Sequence, residues 1–179
     1  MTTSKQHIAI GVAALLAASA AHAAADQSAP HRVAVKGGWS VFQSASPTEC
    51  WATSAPKSSV NTRNGKVANV NRGGIQLFVT FRHGGDPDGG LSFTGGYPFA
   101  DTTAPVMAVG GQEYPFITQG EWAWPKIRAS QSGLLDALKQ GMEATITAYS
   151  ARGTKTADTF TLQGLSAAID EAKSRCSGI

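Results

Sequence analysis

The sequence predicts a mainly β fold: a single-domain antiparallel β-sandwich or partly closed barrel, with one short helix and a C-terminal helix. Three observations predict it. Short runs of residues alternate between apolar and polar side chains, the period of a half-buried strand. Twenty Gly and eight Pro in 179 residues cut the chain at short intervals. Only two stretches, around Leu135 and Ile169, change to helical spacing.

The elements follow in order. Val33, Val35, Trp39 and Val41 read as an opening strand interrupted at Gly37-Gly38, and Trp51 to Ala55 as a short strand beginning beside Cys50. Asn64-Gly65 is a two-residue hairpin signal, because both positions tolerate positive φ. Ile75, Leu77, Val79 and Phe81 share one strand face, with Gln76, Phe78 and Thr80 opposite. Phe78 on that second face predicts a central strand covered on both sides. Leu91 and Phe93 continue the pattern. Val106 to Val109 and Glu113 to Ile117 flank Gly110-Gly111 as a second hairpin. Ala144, Ile146 and Ala148 make a late strand, and Phe160 with Leu162 the last. About eight short strands with frequent turn signals fit a sandwich or barrel.

Ser132 to Gln140 carries Leu134, Leu135 and Leu138 and stops at Gly141, a helix of one to two turns. Leu165 to Arg175 sets Leu165, Ala168, Ile169, Ala172 and then Cys176 on one stripe. Cys176 therefore points to the core side, where Cys50 can meet it. The two cysteines show neither C-x-x-C spacing nor the four ligands of a structural zinc site. An even count in an oxidising compartment reads as a Cys50–Cys176 disulfide. By chain entropy such a long loop stabilises the fold by about 5 kcal/mol at most.

The compartment is read from the first residues. Lys5 precedes the apolar, Ala-rich run Ile8 to Ala21, and Ala21-His22-Ala23 offers small side chains at the positions a signal peptidase requires. The run is shorter than the ~20 residues that span a bilayer. Residues 1–23 are thus expected to be a cleaved signal peptide, with a second cleavage site after 25. Residues 24–32 are then a flexible N-terminal segment and 33–179 one β domain. The expected location is periplasmic or secreted, with no transmembrane span after cleavage. Losing Lys5 lowers the formal net charge of +3 by one, a balance that argues against nucleic acid. Of the four histidines, only His31 and His83 lie beyond the signal.

Several segments resemble the invasion-associated locus B family. They are Trp39-Ser40-Val41-Phe42, the run from Cys50 to Pro56, Phe93 to Phe99, Glu121-Trp122-Ala123-Trp124-Pro125 and, most specific, Ser150 to Leu165. The resemblance runs from about Val33 to Cys176. It implies a secreted or periplasmic protein of α-proteobacterial type. The family offers no accepted catalytic motif, so none is carried over.

Candidate chemistry is sparse. Asp86-Pro87-Asp88-Gly89 has the Asp-x-Asp-Gly look of a calcium loop but lacks a third acid and a closing Glu, so no metal is expected. His31 and His83 accompany no nucleophile elbow, and nothing marks two of the scattered carboxylates as a glycosidase pair. No cofactor and no enzymatic activity are expected. Trp122 and Trp124 stand two apart, on one face of an extended segment. Burial in the sandwich core is the plain reading for them; exposed, they would stack on a sugar ring or anchor a partner. Arg152 to Asp158 reads as a hairpin loop with a basic tip, its plain form an Arg152–Asp158 cross-strand pair. The expected function is that of a non-catalytic envelope module. Its interaction surface is drawn from Trp122, Trp124, Arg152, Lys155 and Asp158, and its partner is an envelope or host-cell protein or a glycan. A small periplasmic enzyme and a structural envelope component are the alternatives.

Overall fold

A computed structural model describes residues 29–45, 48–86, 89–126 and 129–177, the side chains of 129–132 and 177 excepted. The expected signal peptide, both cleavage sites and most of the 24–32 segment lie outside the described residues, as does Asp88 of the acidic loop.

Among the described residues, twelve strands form one antiparallel sheet, accompanied by two helices. The strands are β1 (His31–Lys36), β2 (Trp39–Ala45), β3 (Thr48–Ser54), β4 (Ser58–Arg63), β5 (Lys66–Val67), β6 (Gln76–Arg82), β7 (Gly90–Thr94), β8 (Val106–Val109), β9 (Gln112–Gln119), β10 (Trp122–Pro125), β11 (Glu143–Tyr149) and β12 (Lys155–Thr161). The helices are α1 (Ala129–Gln140) and α2 (Leu165–Ser177). In space the strands run β1-β2-β3-β6-β7-β10-β9-β8-β11-β12-β4-β5, so the sheet is not closed and β1 and β5 are its edges.

The sheet folds over its own core. Phe93 of β7 meets Phe160 of β12 edge-to-face at 6.1 Å, joining the two halves across the interior. The Trp39 indole N–H donates to the Thr161 carbonyl at 3.0 Å, linking β2 to β12. Alternation sets the inner face. Trp39, Val41, Leu77, Val79, Leu91, Phe93, Ile146 and Phe160 are all buried. Burying each such side chain fully stabilises the fold by roughly 1.5–3 kcal/mol before entropy is counted.

Both expected hairpins are present. Asn64 and Gly65 have φ of 50° and 75°, and Gly110 and Gly111 of 58° and 79°, the left-handed pairs that match strand twist. Gly37-Gly38 does not interrupt one strand; it turns the chain between β1 and β2, which pair antiparallel from Lys36↔Trp39 outward. Helix α1 is 12 residues, longer than expected, and buries Leu134, Leu135 and Leu138. Helix α2 buries Leu165, Ala168, Ile169, Ala172 and Cys176 and packs on β1, β2, β3 and β6. There Cys176 is bonded to Cys50 of β3, with Cα atoms 5.9 Å apart. A second clamp lies nearby: Glu171 of α2 accepts from Arg175 at 2.7 Å and pairs with Lys36 of β1 at 3.3 Å. These two cations hold the Glu171 carboxyl below the usual glutamate range, Arg175 contributing most.

Candidate functional site

The aromatic side chains that alternation sends away from the core gather on one open face. On β2, β3 and β6, Val41, Ala52, Leu77 and Val79 point inward, which leaves Phe42, Trp51 and Phe78 half-buried on the outside. On β10 the inward residue is Ala123, fully buried, and its neighbours are turned out. Trp122 is 42% exposed and Trp124 half-buried. The core reading of the two tryptophans is therefore corrected: the small residue between them occupies the interior, and the indoles lie outside. The second face of β6 is likewise not sealed by another layer among the described residues; Phe78 is half-buried there, against Trp122.

The rings form two contacts. Phe42 and Trp51 stack at 5.6 Å with an interplanar angle of 9°. Phe78 and Trp122 lie 5.6 Å apart, tilted by 44°. Register interleaves them with Ser40, Thr53, Gln76, Thr80, Ser92, Thr94 and Gln119. The Thr53 hydroxyl donates to Gln76 Oε1 at 2.7 Å across two strands. The centre of this face carries no charged side chain among the described residues. Charges stand at its margins: Arg32 on β1, and Glu49 paired with Arg82 at 2.5 Å at one end.

The expected hairpin surface divides. Arg152 sits exposed in the β11–β12 turn, and Lys155 faces out from β12. Asp158 is fully buried and pairs in register with Ile146, so the expected Arg152–Asp158 pair does not form and Asp158 leaves the surface. Its partner is Arg72, from the loop before β6. Arg72 Nη1 and Nη2 donate to the two Asp158 oxygens at 2.8 and 2.6 Å. Ser59 adds a bond to Asp158 at 2.7 Å, while Arg72 also donates to Asn61 and to the Gly95 carbonyl. The Tyr97 ring covers the guanidinium at 4.9 Å, and its hydroxyl meets Thr156 at 2.5 Å. Burial raises the Tyr97 pKa above the usual phenol value; Thr156 and Arg72 oppose this. Such a pair is structural: both charges are out of water and satisfied, and no described buried side-chain N or O lacks a partner. His83 and Asp86 lie in the β6–β7 loop, and no group of three acids, His or Cys able to hold a metal occurs among the described residues.

Residues 100–173 match the family model described as Invasion associated locus B (IalB) protein. Over that segment the chain is similar to the IalB family. The match spans β8 to most of α2, and so includes Trp122, Trp124, Arg152, Lys155 and Asp158. Phe42, Trp51 and Phe78 precede it. No curated protein and no solved structure matches the chain. The three aromatics of β2, β3 and β6 were missing from the expected site. Their signal was present: in Val41-Phe42, Trp51-Ala52 and Phe78-Val79 an aromatic adjoins a residue of the buried face.

Proposed function

We propose that this IalB-type protein is exported to the cell envelope and acts there by binding, with a glycan chain as the occupant of its aromatic face. One observation carries the reading. Phe42, Trp51, Phe78 and Trp122 lie on one open sheet face, interleaved with neutral hydroxyl and amide side chains and clear of charge at the centre. Flat rings cover the C–H faces of sugars, and hydroxyls and amides bond sugar hydroxyls without the desolvation cost of a charge. A rigid sheet presents these groups with little ordering entropy to lose. Export is supported by the Cys50–Cys176 bond, which belongs to an oxidising compartment, and by Ala21-His22-Ala23.

The test is co-sedimentation of residues 24–179 with purified insoluble envelope glycan, comparing wild type with Trp51→Ala and Trp122→Ala. Circular dichroism checks that each variant is folded. Binding that falls by tenfold or more in either variant is the expected outcome. If both folded variants sediment like wild type, the face is not the glycan site. Binding only to protein-containing fractions assigns the face to a protein partner instead.

A further inference from the structure

A cleft of about 480 Å³ opens at the end of the folded sheet, separate from the aromatic face. Its size is within the ~300–1,000 Å³ range of small-ligand pockets. Three of its lining side chains are arginines, Arg63, Arg72 and Arg152, and Glu121 is the acid among them. They come from distant parts of the chain: the end of β4, the loop before β6, the β11–β12 turn and the β9–β10 turn.

The three arginines differ in what they can offer. Arg72 is neutralised by Asp158, which lies beneath it and outside the cleft lining. It serves as a fixed floor, topped by Tyr97. Arg63 donates through Nη2 to the Thr154 hydroxyl at 2.8 Å, which orients its guanidinium but leaves its charge uncompensated. Arg152 makes no ion pair among the described residues. Two guanidiniums without a bonded carboxylate therefore share one concave, partly walled space, where fields are less screened than on open surface.

We propose that this cleft binds the oxyanion group of a small molecule, a carboxylate or a phosphate, between Arg63 and Arg152. A guanidinium offers two parallel N–H donors to such a group, and charge-assisted bonds of this kind are about twice as strong as neutral ones. The site is independent of the glycan reading: it uses none of the aromatic face, and its test uses free sugars.

The experiment titrates the folded 24–179 protein with glucose, glucuronate and glucose 6-phosphate, followed by calorimetry and by amide chemical shifts around Arg63 and Arg152. The three probes share one ring and differ at one carbon. The expected result is that at least one charged sugar binds about tenfold or more tightly than glucose. Glucuronate alone identifies a carboxylate, glucose 6-phosphate alone a phosphate. Raising salt should weaken the binding. Arg152→Ala and Arg63→Gln should each reduce it by roughly tenfold, whereas Lys139→Ala, on the exposed surface of α1, should not. Equal binding of all three sugars, or no binding, overturns the proposal. So does charged-sugar binding that both arginine variants retain.

Discussion

Asp158 of β12 receives both terminal nitrogens of Arg72, a residue 86 positions earlier, in a pair that is almost wholly withdrawn from solvent. Its two members answer differently to mutation. Asp158→Ala leaves a buried guanidinium without its counter-charge and is expected to cost about 3–5 kcal/mol in urea unfolding. Replacing both, as Arg72→Met with Asp158→Leu, removes the charge from the interior and should recover much of that loss. A double variant no more stable than Asp158→Ala would show that the hydrogen bonds to Ser59, Asn61 and Gly95 matter more than the charge.

The Cys50–Cys176 bond joins β3 to the last turn of α2. Cys50→Ala with Cys176→Ala is expected to destabilise the protein by about 2–5 kcal/mol, read as a lower melting temperature than that of the oxidised wild type. Hydrogen exchange should quicken first in α2, because the rest of the sheet keeps its ladders. Unchanged melting with and without reductant contradicts this.

Inside and outside aromatics should differ sharply. Phe93, fully buried between the two halves of the sheet, should cost about 3–5 kcal/mol on truncation to alanine. Trp122→Ala removes a partly exposed ring and is expected to cost about 1 kcal/mol or less. Chemical denaturation of both variants provides the comparison, and a Trp122 cost equal to that of Phe93 would return the indole to the core.

Glu171 gives the clamp between α2 and β1 a pH dependence. Its folded pKa is lowered, first by the Arg175 hydrogen bond and then by that of Lys36. The stabilisation is therefore present above the ordinary glutamate value of about 4.3 and is lost as pH falls through the lower folded value. Glu171→Gln should flatten that part of the acid unfolding profile and leave neutral pH little changed. A variant profile parallel to wild type down to pH 3, an acid limit of about that order, would show that other carboxylates dominate.

The parts of the fold written in local pattern were legible. Period-two alternation located β6, paired left-handed positions located the turns at Asn64-Gly65 and Gly110-Gly111, and the stripe through Ile169 and Cys176 located both α2 and its disulfide. What stayed hidden depends on distant partners. No local pattern marks Arg72, because its acid, Asp158, lies on another strand far along the chain. Trp122 and Trp124 looked like core because bulky residues usually fill small β domains. Here Ala123 takes the inward position, and Ala52 does the same beside Trp51. Size alone therefore assigned the faces wrongly, and only the register of neighbouring strands corrects it.

Strand β4 pairs with β12, from Thr62↔Lys155 to Ser58↔Thr159, although much of the sheet lies between them in sequence. Its ladder cannot form until the chain has been made almost to α2. Such non-local closure is paid in loop entropy before any contact rewards it, so this step should be among the slow ones in refolding. Until then β4 presents bare backbone donors and acceptors, as β12 does on that side. The same pairing that completes the native sheet is thus a period of exposure to self-association for every newly made molecule.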